Sequence, residues 1–144
     1  MTDIVDPKTR SRMMASIRPK NTKPEMRVRR YFHAAGLRFR LHTRALPGSP
    51  DIVLKRFRTA VFVHGCFWHR HPGCPKATTP RTRGEFWRKK FDANVRRDRE
   101  KIEQLVEAGW VVDVVWECQT QNPDLLAALV ERIKRRENQS STQP

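Results

Sequence analysis

The chain has 144 residues, 38% of them hydrophobic, with three cysteines and a net charge of +15. That size admits one domain with short arms. No apolar run reaches the roughly 20 residues that span a bilayer, and the odd cysteine count with a start lacking the basic and apolar regions of a secretory signal points to a soluble protein in a reduced, cytoplasmic compartment. The first hundred residues hold 25 Lys/Arg against 8 Asp/Glu and the remainder 5 against 7, so the positive charge is local and predicts a polyanion partner, nucleic acid before any other.

Asp6-Pro7 has the form of an N-cap and first helical residue, and opens a short basic helix through about Ile17 that carries Met13 and Met14. Residues 1–20 are expected to be an N-terminal arm ahead of a domain over 21–136. Thr22-Lys-Pro-Glu25 fits a capping box and starts a helix that runs to Ala35, where Gly36 stops it. Leu37, Phe39 and Leu41 alternate with Arg38, Arg40 and His42, the period of a strand with one basic face. After a turn over 46–50, residues 51–54 and 59–63 read as strands. A long helix over 84–108 brings Phe91, Val95, Ile102 and Leu105 to one face, and Asp98 shares that face, so its carboxylate should point inward. A strand over 110–117, a helix from Asn122-Pro123 to about Arg136 and a disordered tail over 137–144 complete the chain. This order implies an α/β layered domain with a mixed central sheet and Asp51 opening its middle strand.

The segment His64-Gly-Cys66-Phe-Trp-His69-Arg-His71-Pro-Gly-Cys74 places two thiols, three imidazoles and two large rings in eleven residues directly after a strand. Cys118 ends the other strongly β-like run. If the two strands share a sheet, Cys118 joins Cys66, Cys74 and one histidine in a shell of three thiolates and one imidazole, a normal structural zinc site. Spacing does not choose between His69 and His71 for that position. Phe67 and Trp68 read as core rings folded over the metal or as a wedge for nucleic acid. By spacing Glu25 is a capping-box glutamate, and Asp98 either pairs within Arg96-Arg97-Asp98-Arg99 or serves a site; His33 and His42 are expected to be structural or to face phosphate.

Pro50-Asp51 opening a strand in a basic α/β domain is the half-motif of restriction-endonuclease-like nucleases, in which the aspartate binds a catalytic Mg²⁺. Together with Thr9-Arg-Ser11, Phe62-Val-His-Gly-Cys-Phe-Trp-His69, Arg81-Thr-Arg-Gly-Glu-Phe-Trp87, Asn94-Val-Arg-Arg-Asp98 and Val115-Trp-Glu-Cys118, in this order, it makes the chain closely resemble the very short patch repair (Vsr) endonucleases over roughly residues 3–135. The resemblance implies a three-layer restriction-endonuclease-like fold with a structural zinc. It further implies a monomeric Mg²⁺-dependent nickase that cuts double-stranded DNA 5′ of the thymine in a T:G mismatch left by deamination of 5-methylcytosine, acts at the bacterial nucleoid and is coupled to the mismatch-repair protein MutL. By the same resemblance Asp51 and the backbone carbonyl of Val63 hold the Mg²⁺, His69 is the catalytic base, and Glu25, His64 and Asp98 reach the metal waters. Cys66, His71, Cys74 and Cys118 then form the zinc shell within a zinc loop over 64–80, which carries one inserted residue, within Pro72-Gly73, relative to the best-known member. Phe67, Trp68 and Trp87 match rings that enter the duplex from the major groove, Met14 presses on the opposite groove, and Lys90 and Asn94 match base-contacting positions.

The residue types suit that chemistry. Most nucleases of this fold carry Glu-x-Lys on the strand after the aspartate, but here the strand reads Val61-Phe-Val-His64, so another base is needed, and a neutral imidazole at His69 is suitable. The rival readings are a non-catalytic zinc-stabilised DNA-binding module and an RNA-binding protein. Neither needs an acid and a base at a phosphate.

Overall fold

A computed structural model describes residues 22–141, with side chains to residue 136. The expected arm over 1–20, with Met14 and its helix, lies outside the described residues, as do residues 142–144.

Helix α1 spans Lys23–Ala34, and the Thr22 hydroxyl accepts the Glu25 N–H at 3.3 Å, the first half of a capping box. At its end Gly36, at φ +81°, donates to His33 O, and Leu37 N–H donates to Phe32 O, both at 3.0 Å. This is a Schellman stop, in which a left-handed glycine lets two amides return to the last turn. It corrects the first strand. Leu37 is spent on the cap and buried against the core, so strand β1 is only Arg40–Leu41 rather than 37–42. The same stop closes helix α2, Gly84–Glu107: Gly109, at φ +91°, donates to Val106 O and Trp110 N–H to Leu105 O. Strand β4 therefore spans Val111–Trp116, one residue shorter at each end than expected. Strands β2, Ile52–Leu54, and β3, Thr59–His64, lie where the apolar runs placed them, joined by a 3-10 turn over Lys55–Phe57. Helix α3, Pro123–Ser141, opens on the Asn122 side chain, which accepts the Asp124 and Leu125 amides. It continues past Arg136 into the segment expected to be a tail.

The sheet order is β1-β2-β3-β4, with antiparallel β1/β2 and β2/β3 pairs and a parallel β3/β4 pair whose crossover is α2. The sheet is mixed, as expected. Alternation along the strands sorts the core into two faces. Ile52, Leu54, Val61 and Val115 pack against Val28 and Phe32 of α1 and Leu126, Leu129, Val130 and Ile133 of α3. Val53, Ala60 and Phe62 pack against Leu105 and Trp110 on the α2 side. Three layers result, helices on both faces of one sheet. Among the described residues no helix is long and apolar enough to cross a membrane.

This topology positions the chemistry. In a parallel pair both strands end at the same edge, and His64 lies opposite Trp116. The segments that follow them, with Cys66 and Cys118, therefore emerge side by side. Because β2 runs antiparallel to β3, its first end, with Asp51, also meets the last residues of β3.

A carboxylate and imidazole cleft beside a four-donor clip

At that common edge an open cleft of about 580 Å³ is lined by Asp51, Val63, His64, His69 and Asp98, with His42, Arg44 and Lys101 beside them. Asp51 Oδ2 accepts the Val63 N–H at 2.8 Å. Since the N–H and C=O of one strand residue point to the same side, the Val63 carbonyl is also directed toward β2 and Asp51. Glu25 is 2% exposed, and it closes the site from α1: donor atoms of Glu25, His42 and Asp51 all lie within 4.8 Å of one another. Its carboxylate also meets Arg29 at 3.4 Å and the His42 ring at 3.1 Å. Thr22 caps the Glu25 amide, while the Glu25 carboxylate, read from spacing as the other half of a capping box, faces the site.

Burial pushes the Asp51 carboxyl from 3.8 up to about 7; the Val63 N–H opposes this, the neighbouring Glu25 carboxylate adds to it, and the charge of His69 lowers it. Two carboxylates in a partly dry pocket are a poor arrangement without a cation between them, and this is the fit expected of a divalent-metal site.

His69 Nδ1 lies 2.6 Å from Asp98 Oδ2. An ionised carboxylate only accepts, so Nδ1 carries the proton and Nε2 keeps its lone pair for a base role. Asp98 thus points inward, as its place on the α2 face predicted. The His64 ring stacks on His69, with centroids 3.9 Å apart and planes 6° from parallel. Burial, and then the neighbouring His69, lower His64 to about 4. His64 is neutral across the physiological range.

These two shifts predict a pH dependence of stability without added divalent cation. The raised Asp51 disfavours folding increasingly as pH climbs from about 4 to about 7, because the unfolded chain ionises first. The depressed His64 has the opposite slope: its contribution is full above 6.5 and is lost as pH falls toward 4. The two nearly cancel over that window. Asp51→Asn removes one arm, so urea melts should show the variant gaining a few kcal/mol over wild type between pH 4 and 7. A constant difference would contradict the buried carboxyl.

Next to the cleft, Cys66, His71, Cys74 and Cys118 bring their donor atoms within 4.8 Å of one another. His71 Nδ1 is 3.7 Å from Cys66 Sγ and 3.4 Å from Cys118 Sγ. Bonds of about 2.3 Å to sulfur and 2.0 Å to nitrogen in a tetrahedron require edges of about 3.6 Å. The donors fit such a cation. Geometry also decides what spacing left open, since His69 is turned to Asp98 and His71 to the thiols. Clip and cleft are joined by stacked rings: His71 lies on Trp116 at 4.4 Å, and Trp116 meets His64 edge-on at 5.3 Å.

The loop between them carries an aromatic cluster. Phe67 and Trp68 are half-buried, 5.1 Å apart, and rest on Trp87 and Phe91 of α2. Trp87 is 4% exposed, so in this conformation it is the floor of the cluster rather than a presented ring. Asn94 holds Trp68 through its backbone carbonyl at 3.4 Å, and Lys90 lies over Phe86 at 5.5 Å. Sequence reasoning missed Arg70, which at φ +56° bonds the carbonyls of Phe67, Ala77 and Thr78 and lies 4.0 Å from the Phe91 ring, stapling the loop. It also missed Lys101 and Arg44 on the cleft wall.

A model of the family described as "DNA mismatch endonuclease Vsr" matches residues 2–76. The chain is 45% identical over 133 residues to "Type II nicking enzyme V.XorIIP" of Xanthomonas oryzae pv. oryzae, covering 92% of this chain and 97% of that one. It is 43% identical over 136 residues to "DNA mismatch endonuclease Vsr" of Escherichia coli, covering 93% and 86%. To "Type II nicking enzyme V.NmeAIP" of Neisseria meningitidis it is 39% identical over 135 residues, covering 94% and 96%. With Asp51, His69 and the four-donor clip assembled in the order the motifs implied, the chain belongs to the Vsr family of DNA mismatch endonucleases and is a DNA endonuclease.

Proposed function

We propose that this enzyme nicks one strand of duplex DNA 5′ of the thymine in a T:G mismatch, with Mg²⁺ or a related divalent cation in the cleft and zinc in the clip. The observation that carries the reading is the pair of arrangements on either side of the cleft: carboxylates of Asp51 and Glu25 that converge in a buried pocket, and an imidazole at His69 oriented by Asp98. Asp51, the Val63 carbonyl and Glu25 would hold the divalent cation, which when bound supplies charge stabilisation at the phosphate. His69 Nε2 takes the proton of the attacking water. Asp98 fixes the tautomer and stabilises the imidazolium that forms, and neutral His64 packs the ring without adding positive charge beside it. A purely binding module, for DNA or RNA, has no use for this oriented base.

Zinc in the clip would be structural, because three thiolates and an imidazole make a closed shell with no open position. Cys118→Ser should release the zinc and lower the melting temperature by about 10 °C. It should also cut activity, since Trp116 and His64 lean on the clip. Full zinc content in the variant would remove Cys118 from the shell.

Selectivity for the mismatch is assigned to Phe67 and Trp68. A wobble pair opens at lower cost than its Watson–Crick neighbours, so a protein that wedges the step favours it. The test is the ratio of single-turnover cleavage rates on T:G and T:A duplexes. Wild type should strongly prefer T:G, and Phe67→Ala with Trp68→Ala should lose about tenfold to a few hundredfold of that preference, from stacking worth about 1–3 kcal/mol per base. Equal rates on both duplexes for wild type would sink the mismatch reading. An unchanged ratio in the zinc-loaded double variant would move the wedge to other residues.

A further inference from the structure

We infer that His42 is a third side-chain ligand of the divalent cation at Asp51 and Glu25, and that its imidazole biases the site toward first-row transition cations over Mg²⁺. This rests on the cleft being a metal-dependent nuclease centre, and adds to it a residue that motif and fold reasoning placed elsewhere.

Three observations converge on His42. First, its Nε2 lies 3.1 Å from Glu25 Oε2, and both fall within 4.8 Å of the Asp51 carboxylate. Donors bound at about 2.1 Å and at right angles around one cation are about 3 Å apart. Second, the buried Nε2 has no hydrogen-bond partner among the described residues, although Glu25 Oε2 lies 3.1 Å away. Close but not hydrogen-bonded to each other, the two groups can share a third partner. Third, the backbone turns the ring into this place. His42 follows the two-residue strand β1 at φ +48°, with its N–H on Asp51 O at 3.1 Å. A left-handed conformation is uncommon for a residue other than glycine. Continued as a strand, the alternation with Arg38 and Arg40 would have put His42 on the outer basic face; the turn brings it to the cleft wall.

Imidazole nitrogen suits first-row transition cations, whereas Mg²⁺ prefers oxygen donors and retained waters. The competing account is a protonated His42 that only pairs with Glu25. Pulsed electron paramagnetic resonance of Mn²⁺ added to the full-length, zinc-loaded protein separates the two, because a directly bound imidazole nitrogen couples to the metal electron spin. Wild type should show nitrogen coupling. His42→Asn, chosen because asparagine tolerates the left-handed backbone, and His42→Ala as the second variant should lose it, with Mn²⁺ affinity falling about tenfold or more and Mg²⁺ affinity by less than about threefold. Absence of nitrogen coupling in the wild-type complex overturns the inference without any variant. So does coupling that persists in a folded His42 variant, which would place the nitrogen on another histidine. Asp51→Asn is the control for the underlying reading: Mn²⁺ binding that survives it contradicts the nuclease centre itself. Loss of binding in Asp51→Asn with unchanged affinity and coupling in the His42 variants contradicts only the role of His42.

Discussion

Asp51→Asn should reduce single-turnover nicking by at least about 10³-fold while leaving DNA affinity within a fewfold of wild type. The rate loss follows from position: this carboxylate is bonded to the Val63 N–H at 2.8 Å, and it shares its pocket with Glu25. Without it a divalent cation loses its main anionic ligand, and several kcal/mol of charge stabilisation at the phosphate go with it. Affinity should survive because it resides elsewhere, in the +17 of the first hundred residues acting through counterion release. The steric change is small, since asparagine keeps the shape and removes an acid that burial already holds up at about 7. A variant that cleaves at the wild-type rate removes Asp51 from the chemistry. One that neither cleaves nor binds would instead indicate a misfolded edge of β2.

His69→Ala should lower the same rate by about 10² to 10⁴-fold, the usual worth of a positioned general base. The companion variant Asp98→Asn separates base from orienter. It keeps a polar group 2.6 Å from Nδ1 but lets the ring adopt the other tautomer, so it should lose less than His69→Ala and alter the pH profile on its basic limb. Supplementing His69→Ala with free imidazole should restore part of the rate. Equal, imidazole-insensitive losses in both variants would point to a packing role for the pair, which the 3.9 Å stack on His64 could also suffer from.

The parts of this site that were legible in the sequence are those where spacing and periodicity act locally. Helical period placed Asp98 inward, and strand patterns set β2 and β3 and hence the edge from which Asp51 and the loop of the clip emerge. The donors of the clip were visible as a set, but the choice of His71 over His69 depends on α2 lying over the loop and offering Asp98 as a competing partner. Two readings failed for backbone reasons. Gly36 and Gly109 drew Leu37 and Trp110 into helix caps and shortened two strands, because capping amides outbid the start of a ladder. His42 left its basic face through a left-handed φ that no hydrophobic pattern encodes. Arg70 was not singled out at all, although its guanidinium is engaged by three carbonyls. Loop and cap contacts of this kind have no sequence period to betray them.

The most direct test of the account is single-turnover nicking of a T:G duplex labelled on each strand in turn, with zinc-loaded protein, in the presence and absence of Mg²⁺ or Mn²⁺. A single break 5′ of the mismatched thymine, on that strand alone and only with the divalent cation present, is the predicted result. Cleavage of both strands, cleavage of a T:A control at the same rate, or cleavage unaffected by removal of the cation would contradict it.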